Sequence, residues 1–544
     1  MSIAYQKSES YGKRFLSGVA ILAISTFIVK IIGMLYKIPM MELLGAEGMG
    51  YFNSAYEIYS LFFVISTTGI PVAISILVSE NKASKKYSNI KKIYKISLII
   101  LGLIGAIGTL ILALFFEKAA ALINNEQASM CIIAISPTLL MICLSSAMRG
   151  YFQGNEIMIP TAVSQVIEAL GKLLLGLGFA TIAIKNGYEV PKVAAFAILG
   201  ITIGVAASLL YLALYNAFYR IKEDKLCTYS VEKTSSIFKK LIYIAFPITI
   251  SSTILSLTKL IDMIMILTRL GSIGYTQIQA NSIYGSYSTM AISIYNLPAT
   301  LVSAVALPLV PMLSGAIESN DISKEKFIIN SALKLVSIVA LPAGLGISVF
   351  GIDILKLLFA SQSEEIEYTA PLLSILGLSV FLSSMITVTN AILQSYKMVK
   401  NPIISMTIGT VIKIVLAFIL LGTPKINIYG APISTFFSTA VIVTLNLYFI
   451  VKRIGRIGSL IQLFILPTVA ALISIAIGIG CSMMLSNILV SKANIIIVII
   501  IVFISYLILI LKLKVLNEED IIMLPKGDKL LKILKNSKGK RNVK

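Results

Sequence analysis

Asn53-Ser54-Ala55-Tyr56-Glu57-Ile58-Tyr59-Ser60 recurs later in the chain as Asn281-Ser282-Ile283-Tyr284-Gly285-Ser286-Tyr287-Ser288. Both stretches fit N-S-x-Y-x-x-Y-S, and each is followed at a similar distance by a proline, Pro71 and Pro298. A second echo pairs Pro160 and Lys172 with Pro402 and Lys413. Long-range self-similarity of this kind marks two copies of one structural unit. Each matched stretch opens, or lies within, a long apolar run, so the repeated unit is a set of helices.

Outward from the repeat the chain is apolar almost throughout. Of its 544 residues, 57% are hydrophobic and 13% charged, and the mean hydropathy is +0.92. Soluble domains are about 45–50% apolar and roughly 25% charged, and a single soluble core stops growing near ~250–300 residues. This much apolar sequence belongs in lipid. Runs near the ~20 residues needed to cross a bilayer fall at 15–44, 51–78, 96–116, 127–153, 158–184, 191–218, 241–268, 280–312, 328–359, 368–394, 402–422, 429–451, 457–486 and 493–511. The first follows Lys13-Arg14 like a signal peptide, but it is too long and lacks an A-x-A site, so it is read as retained. The expected fold is an all-α integral membrane protein of about fourteen transmembrane helices. Two parallel-duplicated six-helix lobes surround a central cavity, and two extra helices follow. The N-lobe is 1–220, a basic cytoplasmic linker 221–240, the C-lobe 241–456, the last two spans 457–511 and a basic tail 512–544. Parallel lobes suit alternating access by rocking.

The charge balance is 46 Lys and Arg against 25 Asp and Glu, net +21. In a soluble protein such an excess suggests nucleic acid. Here the alternation of spans puts nearly all loop cations on one side, with only Lys118, Lys185, Lys192, Arg269, Lys425 and Lys492 on the other. That bias is the positive-inside rule. It places both termini in the cytoplasm and makes the charge a topology signal, with no nucleic-acid partner. In the tail, Leu530, Leu531 and Leu534 share a face of Asp528–Lys535, fitting either a helix on anionic lipid or a solvated tail.

With no histidine in the chain, imidazole acid–base chemistry and imidazole metal ligation are excluded. Cys131, Cys143, Cys227 and Cys481 form no C-x-x-C pair and read as apolar fillers. No metal or cofactor is expected. The informative residues are the charges inside the spans. Lys334 and Lys356 lie near helix ends and can snorkel. Lys30, Lys37, Lys172, Lys259 and Lys413 are deeper, accompanied by Glu57, Glu168 and Asp262. A charge at such depth costs at least about 2.5–3.5 kcal/mol, so it faces a wet cavity and is a functional candidate. Helical spacing aligns Ala23, Thr26, Lys30, Gly33 and Lys37 on one face, and Thr161, Gln165, Glu168 and Lys172 on another. Glu168 and Lys172 at i,i+4, and Lys259 and Asp262 at i,i+3, can neutralise each other, as structural pairs or as parts of a site. Lys30 and Lys37 have no local acid, and Glu57 can pair with only one of them. Burial disfavours a charged lysine unless a counter-charge arrives. One reading is satisfaction by carbonyls and water; the other is an anionic substrate such as phosphate or diphosphate.

Gly33-Met34-Leu35-Tyr36-Lys37-Ile38-Pro39, Gly45-Ala46-Glu47-Gly48-Met49-Gly50-Tyr51, Ser66-Thr67-Thr68-Gly69-Ile70-Pro71-Val72-Ala73 and Arg149-Gly150-Tyr151-Phe152-Gln153-Gly154 resemble the stage V sporulation protein B and polysaccharide biosynthesis protein family. That family falls in the multidrug/oligosaccharidyl-lipid/polysaccharide exporter superfamily, near the MurJ-type lipid II flippases. The resemblance covers essentially the whole chain. It implies a flippase of the bacterial cytoplasmic membrane that moves an undecaprenyl-diphosphate-linked peptidoglycan precursor outward. Cations of the N-lobe would hold the diphosphate, and the last two helices would form a groove for the lipid tail. The candidate substrate-binding residues are Lys30, Lys37, Glu57, Arg149, Glu168, Lys172 and Lys259. Asp262 is the ion-coupling candidate, with Na+, H+ or the membrane potential as the drive. Cell-wall synthesis proteins are further candidate partners. The chain departs from the better-known Gram-negative members in carrying lysines for arginines, and Glu57 in the region of a cation of span 2.

Three rivals follow. Another undecaprenyl-linked glycan, of teichoic acid, capsule or spore cortex, fits the same features. A cation-coupled multidrug antiporter predicts acids in excess, whereas lysines dominate the deep charges. A membrane-embedded enzyme predicts a large carboxylate-bearing loop, and the longest loop here is short, basic and cytoplasmic.

Overall fold

The computed structural model describes residues 2–218, 232–455, 458–485, 491–513 and 515. Among them are sixteen α-helices and no strand: α1 (Ser2–Thr67), α2 (Gly69–Ala83), α3 (Tyr87–Leu114), α4 (Phe116–Leu122), α5 (Ser129–Gly154), α6 (Ile159–Lys185), α7 (Val190–Phe218) and α8 (Thr234–Ser272), then α9 (Gln277–Ser286), α10 (Ile292–Glu318), α11 (Ile322–Leu358), α12 (Ser363–Ser395), α13 (Lys400–Leu421), α14 (Gly430–Ile454), α15 (Leu466–Leu485) and α16 (Ser491–Lys512). Cys227, most of the linker and the tail beyond residue 515, with its leucine face, lie outside the described residues.

The chain is a multi-pass helical membrane protein. Eleven described helical stretches are long and apolar enough to cross a bilayer, or twelve if the bent pair within α8 is one span. Part of the difference from the fourteen expected spans has a local source. Ile24–Ala83 counts as one span of 60 residues, which as a straight helix would measure about 90 Å against a hydrocarbon core of about 30 Å. It is not straight. Gly45, at φ 63° and ψ −176°, interrupts α1. The rings of Tyr36 and Phe52 lie 6.0 Å apart, where a continuous helix would separate them by about 24 Å. The chain therefore folds back at Gly45, a conformation glycine reaches without a Cβ clash, and α1 is a hairpin with a first arm before Gly45 and a second after it. The expected run 280–312 is divided into α9 and α10 by a π-turn, Tyr287–Ala291.

The described residues cluster into two compact units. Unit 1 runs to Thr289 and takes in Ile414–Ala431; unit 2 takes Met290–Lys413 and the described residues from Pro432 onward. Compactness thus divides the chain elsewhere than the repeat does, because α8 and α9, which open the second copy, cluster with the first.

Within unit 1, small residues bring helix backbones together, as packing in lipid requires. A Cβ added at Gly171 of α6 would fall 2.4 Å from Gly204 Cα of α7, and one at Gly150 of α5 would fall 2.7 Å from the Pro71 carbonyl oxygen of α2. These contacts fix α6, which carries Glu168 and Lys172, and α5, which carries Arg149. Within unit 2, Leu313, Leu333, Met385 and Ile392 are fully buried in an apolar core. Asn446 Nδ2 donates to Thr389 Oγ1 and Asn390 Oδ1 at 3.0 and 2.8 Å. In α16, Tyr506 Oη donates to the Ile338 carbonyl at 2.9 Å.

Candidate functional site

Unit 1 holds Lys30, Lys37, Glu57, Arg149, Glu168, Lys172, Lys259 and Asp262; Lys413 belongs to unit 2. Arg149 is buried on α5. Its Nε donates to Ser164 Oγ at 2.9 Å. Its Nη2 donates to Glu168 Oε2 at 3.0 Å and to Ser208 Oγ at 3.1 Å. Arg149 is thereby tied to both α6 and α7. Glu168 is taken by an arginine from another helix rather than by the lysine one turn along its own.

Lys172 is placed differently. Its ammonium lies 4.4 Å from the ring centroid of Tyr56, 5.0 Å from Tyr36 and 5.7 Å from Phe52, all within cation–π reach. The hairpin at Gly45 assembles this cage, because Tyr36 comes from its first arm and Phe52 and Tyr56 from its second. The ring series continues along the second arm through Tyr59 and Phe63, with neighbouring centroids 5.8 and 5.7 Å apart. Among the described residues Lys172 makes no hydrogen bond or ion pair.

Lys37, next to Tyr36, is half-buried and has Glu57 and Lys259 as electrostatic neighbours, and Lys172 in turn has Lys37 and Glu168. Glu57 Oε2 accepts from Ser60 Oγ at 3.0 Å. Lys37, Arg149, Lys172 and Lys259 thus outnumber Glu57, Glu168 and Asp262, the deep carboxylates of the same unit. Lys30 is exposed further along the first arm, and Asp262 is a neighbour of Tyr284. Sequence reasoning missed the aromatic cage and the Ser164 and Ser208 seats of Arg149. Tyr36 and Tyr56 did stand in the quoted motifs, but nothing local in the chain pointed them at Lys172. Among the described residues no three His, Cys, Asp or Glu side chains gather as a metal site.

A second polar feature joins the two copies of the repeat. Asn53 Nδ2 donates to Ser288 Oγ and Thr289 Oγ1, both at 2.8 Å. Asn281 Nδ2 donates to the Glu47 carbonyl at 2.7 Å. Asn125 Nδ2 completes the set by donating to Asn281 Oδ1 at 2.8 Å and Ser54 Oγ at 3.0 Å. Each leading asparagine of the repeat therefore bonds to the other copy, Asn53 to hydroxyls of the π-turn after Ser286 and Asn281 to a carbonyl two residues past the fold-back at Gly45. The approach is close: a Cβ added at Gly285 would fall 2.0 Å from the Ala46 carbonyl oxygen. A capping box at Thr276 and Gln279 starts α9 and sets its register.

The model of a family described as "Polysaccharide biosynthesis protein" matches residues 15–317, which include the hairpin, the cage, Arg149 and both copies of the repeat. The chain belongs to the polysaccharide biosynthesis protein family. A second model, described as "MatE", matches 247–419. Curated relatives from Bacillus subtilis (strain 168) include stage V sporulation protein B, 28% identical over 77% of this chain and 80% of that protein. Lipid II flippase MurJ of the same organism is 28% identical over 74% and 76%. Among solved structures, lipid II flippase MurJ in an inward closed conformation superposes with a TM-score of 0.67 at 18% identity, covering 90% of this chain and 98% of that one. An inward-facing multidrug resistance MATE family transporter of the MOP superfamily superposes with a TM-score of 0.66 at 14% identity, covering 80% and 98%. The polysaccharide biosynthesis protein family member described here thus shares one helical fold with a flippase and with drug transporters.

Proposed function

We propose that the protein is a lipid-linked glycan flippase that moves undecaprenyl-diphosphate-linked peptidoglycan precursor, lipid II, from the inner to the outer leaflet by alternating access. The observation that carries this reading is the excess of interior cations, with Lys172 held over rings and not against a carboxylate. A diphosphate supplies the missing negative charge. The similarity to a named lipid II flippase supports the same substrate.

The asparagine latch supplies the moving part. It lies beside Gly45, on the side that the loop charges assign to the outside. Neutral hydrogen bonds of this kind are worth about 0.5–1.5 kcal/mol net, strong enough to hold a closed state and weak enough to release. Asp262 is the candidate for Na+ or H+ coupling, with the membrane potential as the alternative drive. Both termini are placed in the cytoplasm, with the tail near anionic lipid and cell-wall synthesis proteins as partners.

A second reading, translocation of another undecaprenyl-linked glycan, is favoured by the similarity to stage V sporulation protein B, at equal identity over slightly more of the chain. A multidrug antiporter is disfavoured by the sign of the interior charge. The test is transport of fluorescent lipid II by the purified protein in liposomes, together with rescue of cells depleted of their lipid II flippase. Failure of both, with good expression, selects the other-glycan reading.

A further inference from the structure

Glu168 and Lys172 stand four residues apart on α6 with the acid N-terminal, the arrangement in which a helical ion pair forms most readily. In this protein it does not form. Arg149 takes Glu168 Oε2 at 3.0 Å, seated by Ser164 and Ser208. The planar fork of an arginine fits a carboxylate flanked by hydroxyls better than an ammonium does.

Lys172 is left with Tyr36, Phe52 and Tyr56. An aromatic cage holds a cation through the ring quadrupole, and the rings carry no net charge. A carboxylate would cancel the lysine charge; the cage stores it. A ligand with a full negative charge can then draw the ammonium off the rings at modest cost.

We propose that Arg149 is a positioning residue that acts through Glu168: by occupying that carboxylate it keeps Lys172 un-neutralised, parked on three rings and available to the anionic group of the substrate. The assignment rests on the anionic-substrate reading above. It takes Arg149 and Glu168 out of contact with substrate and leaves Lys172 as the cation that meets it.

The test uses the full-length protein in detergent, with inorganic pyrophosphate as probe. Arg149→Met is expected to release Glu168 to Lys172 and weaken binding by about tenfold or more, the scale of a lost charge-assisted contact. Adding Glu168→Gln to Arg149→Met removes the competing carboxylate and is expected to restore binding to within about threefold of wild type, a rescue no general packing defect would show. Glu168→Gln alone, which leaves Arg149 in place, is expected to tighten binding about threefold, because a negative charge near the anion is gone. A structure of Arg149→Met is expected to show Lys172 moved from the rings to Glu168.

A double variant as weak as Arg149→Met overturns the proposal, since Arg149 would then touch the anion itself. So does an Arg149→Met structure with Lys172 still in its cage. If that variant does not fold, tenfold weaker binding by Glu168→Gln overturns the proposal, and tighter binding supports it. Wild-type protein that binds no pyrophosphate overturns the anionic-substrate reading instead, and the position of Lys172 in Arg149→Met then decides the Arg149 assignment alone.

Discussion

The surroundings of Lys172 and the latch at Asn53 and Asn281 share one helical arm, and they treat polarity in opposite ways. Phe52 and Tyr56 turn toward Lys172, while Asn53 and Ser54 bond to Ser288, Thr289 and Asn125. The latch is neutral and closes on itself, each amide meeting a hydroxyl, amide or carbonyl of the other repeat copy. The charge cluster does not close: its cations outnumber its carboxylates, and one of them rests on rings. A membrane protein that only needed stability would satisfy both, since an intramembrane charge is costly. Polarity that is satisfied holds a conformation, and polarity left over awaits a ligand.

The largest effect is therefore expected in the charge cluster. Lys30→Ala combined with Lys37→Ala should abolish lipid II transport in liposomes, a loss of at least about 100-fold if two charge-assisted contacts of ~1.5–3 kcal/mol each are removed. The folded fraction should stay near wild type. Because Lys37 lies in the cluster and Lys30 is exposed, Lys37→Ala alone should account for most of the loss. Normal transport by the double variant would break the comparison by making the cluster structural.

Next comes the latch as a packing element. Gly285→Val places a methyl group where the Ala46 carbonyl oxygen stands, 2.0 Å from an ideal Cβ. Overpacking against backbone should destabilise the closed latch by about 1–3 kcal/mol. Hydrogen exchange read over 46–54 and 281–289 should rise accordingly. Below that lie its hydrogen bonds: Asn53→Ala and Asn281→Ala should each cost about 1 kcal/mol by the same measurement. They should couple in a double-mutant cycle, because Asn125 links Asn281 to Ser54. Strict additivity would mean two independent contacts and no shared latch.

The sequence made the helical membrane fold, the repeat and the identity of the interior charges readable, because hydropathy and spacing are local properties. It marked the eight-residue motif but not that its two copies bond to each other, since contact between distant segments leaves no local trace. It also suggested the wrong partner for Glu168. Spacing along α6 points to Lys172, whereas the arginine that takes the carboxylate comes from α5, with Ser208 of α7 helping to seat it. The cage of Lys172 was illegible for the same reason: its rings converge only because Gly45 folds the chain back. At that glycine hydropathy separates 15–44 from 51–78, where the chain folds back, although helical hydrogen bonding resumes directly after it and joins both arms in one element.

The smallest expected effect tests whether burial, rather than charge as such, sets the contrast. Glu232 pairs with Lys240 at 2.8 Å outside the spans, with half of the Lys240 side chain exposed. The hydrogen bond from Lys240 holds the Glu232 carboxyl below the usual carboxylate range. A depressed carboxylate contributes stability that is present above the ordinary carboxylate value and is lost as the pH falls through the depressed one. Glu232→Gln should therefore lower stability by about 0.5 kcal/mol or less at neutral pH, the range of exposed pairs. It should flatten the acid limb of a melting-temperature profile against pH and leave transport unchanged. Water already satisfies both partners when they part, whereas Lys172 rests on the rings of Tyr36, Phe52 and Tyr56. A Glu232→Gln effect as large as that of the interior lysines would show that net charge, and not its placement in the membrane, governs this protein.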